Sequence, residues 1–69
     1  MFAVWEWLDD GGWVPYPAAV SADLEAASQR GDAFCALPPH RSTSYEVDFA
    51  ASSQRNLRTG YARPVRRVR

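Results

Sequence analysis

The sequence predicts an α+β domain, with a small, curved antiparallel sheet and one α-helix against it. Three observations carry this. Two β-prone aromatic runs flank a Gly-rich turn near the start, a single alanine-rich stretch has helical periodicity, and the second half returns to short runs broken by Pro and Gly. At 69 residues the chain has room for one domain, so residues 1–69 read as a single unit.

The opening runs are Val4–Leu8 and Trp13–Tyr16, with Asp9-Asp10-Gly11-Gly12 between them. Asp10-Gly11 is a strong turn signal because both residues tolerate positive φ, so the segment reads as a hairpin. In residues 18–30, Val20, Leu24 and Ala27 fall at i, i+4 and i+7, one face of a helix. Ala19, Ala22, Glu25 and Ala26 suit that helix, and Gly31 stands where a C-terminal cap is expected. Ala33–Leu37 predicts a short strand and Pro38–Ser44 a loop. Tyr45-Glu46-Val47-Asp48-Phe49 alternates, which puts Tyr45, Val47 and Phe49 on one half-buried face. Ser52–Arg58 is polar and carries no usable pattern. Tyr61–Val68 has β-prone residues spaced by arginines; its Pro64 cannot donate to a ladder and is expected on an edge or at a bulge.

A domain this small has a thin core, so Trp5, Trp7, Trp13, Tyr16, Phe34, Tyr45, Phe49 and Tyr61 are all expected to work in it. A buried Trp13 would make Trp13→Ala an unfolding change, at about 3–5 kcal/mol. The single cysteine, Cys35, closes the disulfide route and points to a reducing, intracellular setting. With His40 the only histidine, a zinc finger lacks ligands. No run approaches the length of a membrane span, and no signal peptide is apparent, so no membrane partner is expected. Charge is asymmetric: residues 1–48 hold eight acids and two arginines, whereas residues 49–69 hold six arginines and no acid. This basic strip suits phosphate or carboxylate contacts, and equally a solvated face.

Val4-Trp5-Glu6-Trp7, then Gly12-Trp13 and Tyr16, then Leu24-Glu25, resembles the WWE domain, named for two tryptophans and a glutamate that correspond here to Trp5, Trp13 and Glu25. Tyr45–Phe49, Gln54, Asn56, Thr59-Gly60 and Arg63-Pro64-Val65-Arg66-Arg67 are similar to the C-terminal strands of that family. The opening and the ending are most similar to the WWE modules of Deltex-type E3 ubiquitin ligases, and the likeness covers residues 4–67. It implies a half-barrel of about six strands with one helix packed across it. It also implies a non-catalytic module, cytoplasmic or nuclear, that recognises ADP-ribose or poly-ADP-ribose through a terminal ADP-ribose or an internal iso-ADP-ribose unit. No cofactor is implied, and the isolated domain is expected to be a monomer.

On the family pattern the ligand-binding positions are Trp7, Tyr45, Gln54 and Arg63. Trp7 would wall the adenine, and the Gln54 amide would pair with the base edge. Arg63 would hold the pyrophosphate, and Tyr45 would donate its hydroxyl to a phosphate or ribose. Each has a plainer reading: Trp7 and Tyr45 as core, Gln54 and Arg63 as solvated strand residues. Arg66 is an outside candidate for a phosphate. Trp5, Trp13 and Glu25 read as structural, Glu25 as a hydrogen-bonding anchor. Asp10 stands where readers of iso-ADP-ribose carry a basic residue and Val14 where they carry a second aromatic, so two contacts are missing.

An enzyme is not expected: His40 lies in a Pro-rich loop, Cys35 in a strand, and no glycine loop precedes the helix to cradle phosphate. The competing reading is a protein-interaction module of the Deltex kind, with an ankyrin-repeat partner. No specific nucleic-acid partner is expected, because the acidic first half would repel a long polyanion.

Overall fold

The computed structural model describes residues 3–68. Its elements are β1 (Val4–Asp9), β2 (Gly12–Pro15), α1 (Ala18–Arg30), β3 (Phe34–Ala36), β4 (Tyr45–Asp48), β5 (Ser53–Asn56) and β6 (Ala62–Val68). The strands form one open antiparallel sheet in the order β2-β1-β6-β5-β4-β3. α1 touches β1 near one edge and β3 at the other. A short helix reaches both only if the sheet curls around it, and this makes the architecture a half-barrel.

The hairpin pairs Asp9 with Gly12, leaving the two-residue loop Asp10-Gly11. The positive φ falls on Gly12, at 126°, and not on Asp10 or Gly11. α1 ends as its sequence asks. Gly31 takes the left-handed conformation at φ 79°, and the amides of Gly31 and Asp32 donate to the carbonyls of Ser28 and Ala27 at 3.1 and 3.0 Å. That satisfies two otherwise orphaned helix carbonyls. Leu24 and Ala27 are buried, whereas Val20 is half-buried. Ser21 is also buried; its Oγ accepts the Trp5 amide at 3.1 Å and ties the helix to β1.

Opposed residues of antiparallel strands share a face. Through the register, Trp5, Trp7, Tyr45, Val47, Gln54, Arg63 and Val65 lie on the concave side, and Glu6, Leu8, Trp13 and Arg66 on the convex side. The core is Trp5, Tyr16, Leu24, Val47 and Val65, flanked by Trp7, Val20, Cys35, Leu37 and Phe49. Phe49 meets Trp5 edge-on, with ring centroids 5.6 Å apart.

Several expectations are corrected. Trp13 is half-buried on the convex face, outside the core, with the Arg66 guanidinium 4.2 Å from its ring centroid. Phe34 and Tyr61 are exposed: Phe34 points outward from an edge strand, and Tyr61 sits on the rim before β6. The unpatterned Ser52–Arg58 segment contains β5, paired on both flanks. Pro64 lies on a central strand, at neither an edge nor a bulge. It sits where the β5 ladder ends, at Ser53↔Pro64, and the β1 ladder begins, at Trp7↔Val65. The Val65 amide donates toward β5, to Ser52 at 2.9 Å, so the missing Pro64 N–H faces the β1 flank, beyond the end of that ladder.

The charge asymmetry resolves into ion pairs between the two parts of the chain. Arg55 meets Glu46 at 2.8 Å, Arg66 meets Glu6 at 2.7 Å, Arg67 meets Glu25 at 2.7 Å and Arg63 meets Asp10 at 3.2 Å. Four of the six arginines beyond residue 48 are therefore already matched by acids from the first part of the chain.

Candidate functional site

The helix covers only part of the concave face. Beyond its N-terminal end lies a pocket of about 470 Å³. Its floor takes one residue from each of four adjacent strands: Trp7 of β1, Arg63 of β6, Gln54 of β5 and Tyr45 of β4. These are the four positions the sequence nominated, and the register brings all of them together. One wall is Tyr16, Pro17 and Val20, where β2 runs into α1. The opposite wall is Leu37 to His40, and Asp9 closes the hairpin end.

The wall after β3 is held by backbone. His40 and Thr43 exchange two backbone hydrogen bonds of 2.9 Å around a two-residue turn in which Arg41 and Ser42 take positive φ, 50° and 63°. Such conformations are costly for non-glycine residues and persist where surroundings over-determine them. His40, Asp9 and the prolines also line the pocket without a sequence signal for it; they lie at strand ends and in loops, where no periodicity reports which way a side chain points.

Gln54 is oriented by a neighbour. The Tyr16 hydroxyl donates to Gln54 Oε1 at 2.6 Å. Burial pushes the Tyr16 pKa well above its ordinary value of 10.0, so the phenol keeps its proton and remains a donor. Asn56 reverses the chain after β5: its Oδ1 accepts the amides of Arg58 and Thr59 at 2.9 and 3.1 Å.

Arg63 is bracketed. Its guanidinium lies 5.1 Å from the Tyr61 ring centroid and 6.0 Å from that of Trp7. Asp10 accepts its Nη1 at 3.2 Å, and Asp9 lies 3.7 Å away. The hydrogen bond to Asp10 pushes its pKa up, so it is a permanent cation. Asp10, standing where a basic residue would add a phosphate contact, instead offers Arg63 a competing carboxylate. Val14 sits beside Trp7, where its small side chain extends the wall little. Arg66 lies on the convex face, away from the pocket.

The structural anchor is Glu25. It accepts Trp5 Nε1 at 3.0 Å and both Arg67 Nε and Nη2 at 2.7 Å. The Arg67 hydrogen bond, helped by those from Gln29 and Trp5, holds its pKa at about 2 although burial pushes it the other way. A carboxylate that stays charged while joining three elements is a brace; it has no proton to trade at neutral pH. Burial, then the charge of Asp23, pushes the Cys35 thiol up and keeps it protonated, which leaves it a poor nucleophile.

An open half-barrel whose floor offers a flat ring, an amide, a phenol and a guanidinium defines a small recognition module with the groups for holding a ligand. The chain belongs to the WWE domain family, which it matches over residues 3–67. It is similar to E3 ubiquitin-protein ligase DTX4 of Mus musculus, 37% identical over 70 residues covering 93% of this chain. It is similar also to E3 ubiquitin-protein ligase DTX1 of Xenopus laevis, 38% identical over 68 residues, again 93% of this chain. The match takes in 11% of the length of either relative. The domain is a binding module of the kind found in Deltex ligases.

Proposed function

We propose that the domain binds an ADP-ribose unit, as terminal ADP-ribose or as the internal iso-ADP-ribose of poly-ADP-ribose. It thereby brings an attached ubiquitin ligase or ADP-ribosylation protein to modified partners in the cytoplasm or nucleus. The observation that carries this is the convergence of Trp7, Tyr45, Gln54 and Arg63 on one concave pocket, whose volume lies in the range small-molecule sites occupy. Stacking of a base on an aromatic ring contributes about 1–3 kcal/mol in single-strand nucleic-acid sites. Trp7 supplies such a face, Gln54 the amide for the base edge and Arg63 the cation for a phosphate.

The test is a ¹⁵N NMR titration with ADP-ribose and, in parallel, iso-ADP-ribose. Saturable shifts centred on the four floor residues, abolished by Gln54→Ala, support the reading, and the tighter ligand identifies the unit recognised. Absence of shifts at millimolar ligand removes it.

A second reading, a protein-binding face such as one for an ankyrin-repeat partner, is favoured by one observation: Arg63 is already paired with Asp9 and Asp10. A protein interface would tolerate Gln54→Ala and lose affinity through changes over a broad exposed patch.

A further inference from the structure

We propose that Tyr16 is a positioning residue that locks the Gln54 amide in one orientation, and that the lock makes the pocket select 6-aminopurines over 6-oxopurines. This rests on the ADP-ribose reading and deepens it. A glutamine amide is nearly symmetric in shape but has two chemical ends, so a free one can turn over and read either pattern of donors and acceptors. Here it is not free. The hydroxyl of Tyr16, a residue 9% exposed, donates to Oε1 at 2.6 Å. Turning the amide over would make an amide N–H the donor to the hydroxyl oxygen and leave the hydroxyl hydrogen without the only acceptor it has among the described residues. Leaving a buried donor unsatisfied is disfavoured. Gln54 is placed further by its strand: β5 is paired on both sides, to Val47 of β4 and Arg63 of β6, so its backbone cannot swing to compensate.

The consequence is a fixed polarity at the floor of the pocket. One Oε1 lone pair is taken by Tyr16, and the other remains beside the amide N–H groups. That edge complements adenine, which presents an amino donor at C6 next to a ring-nitrogen acceptor on either side. Hypoxanthine and guanine present an acceptor at C6, which would face Oε1 oxygen to oxygen. Pairing with their N1–H and O6 requires the reversed amide, the orientation Tyr16 opposes. A site that leaves its own polar groups mispaired against the wrong ligand discriminates strongly.

The experiment titrates the domain with ADP-ribose and with its hypoxanthine counterpart, inosine diphosphate ribose, by calorimetry. Wild type is expected to prefer the adenine ligand by roughly tenfold or more. Tyr16→Phe, which removes one oxygen and frees the amide to turn, is expected to bring the two affinities within about threefold. A Tyr16 with a merely structural role would lower both affinities together and leave the ratio unchanged. Gln54→Glu provides a second variant: it keeps an acceptor for Tyr16 but replaces the N–H end by oxygen, so the adenine ring nitrogen loses its donor and the preference for adenine should collapse. Equal binding of both ligands by wild type overturns the selectivity while leaving the ADP-ribose reading intact. An undiminished ratio in Tyr16→Phe, or a retained adenine preference in Gln54→Glu, overturns the lock. Wild type that binds neither ligand overturns both readings.

Discussion

The two tryptophans that name the family are not equivalent here, and replacing each by alanine should separate them. Trp5 is 6% exposed, packs edge-on against Phe49, and donates its indole N–H to Glu25. Removing a buried indole costs about 3–5 kcal/mol. At about 0.05–0.15 kcal/mol per residue, a domain of this length has roughly 3–10 kcal/mol in all, so Trp5→Ala should leave it largely unfolded. Trp13 lies half-buried on the convex face. Its losses are the Arg66 stack, about 0.5–1 kcal/mol at an exposed site, and a cross-strand pair with Leu8, about 0.2–1 kcal/mol. With its partial burial the total is about 1–2 kcal/mol, which in a domain this small lowers Tm by roughly 5–15 °C. Thermal and urea unfolding followed by far-UV circular dichroism, with m compared across variants, measures both. Equal losses from the two substitutions, or a larger loss from Trp13→Ala, would refute the assignment of Trp5 to the core and Trp13 to the outer face.

Acid should weaken the fold through Glu25, whose folded pKa of about 2 lies below its ordinary 4.5. Its contribution is whole above pH 4.5 and fades as pH falls toward 2. Melts across that window should show the loss, and Glu25→Gln should flatten it. Asp10→Asn should raise ADP-ribose affinity about two- to fivefold, because an exposed carboxylate no longer competes for Arg63. The gain should shrink in high salt, and an unchanged affinity would mean that Arg63 does not meet the phosphates. Random duplex DNA should bind negligibly at physiological salt, since most of the C-terminal arginines are already paired. A micromolar complex by fluorescence anisotropy at about 150 mM salt would contradict this.

The elements legible in the sequence were those whose inward side is apolar. The hairpin, α1 with its Gly31 cap, β3 and β4 all carry a hydrophobic period or a turn residue with a mechanical role. β5 does not. Its concave positions are Gln54 and Asn56, which face the pocket and the following turn instead of the core, so alternation of apolar and polar residues is absent where the site is built. Its conformation comes from pairing on both flanks, which is long-range information. Pro64 misled for a related reason: the rule that excludes proline from central strands assumes that both neighbouring ladders run the full length, and here they change over at that residue. The floor residues were legible only through family likeness. Tyr16 was legible as an aromatic, but its hydrogen bond to Gln54 spans 38 positions and leaves no local trace.

β6, at the C-terminal end of the described chain, lies in the middle of the sheet, and its consequence is one of timing. On a ribosome adding about 5–20 residues per second, β1 is made roughly 3–12 s before the strand that pairs with it. During that interval the hairpin and the β3–β5 meander have no strand between them, and one flank of each stands open to other chains. The half-barrel can close only after its last strand has emerged, so the interval between synthesis of β1 and arrival of β6 is when this domain is most exposed to misassembly.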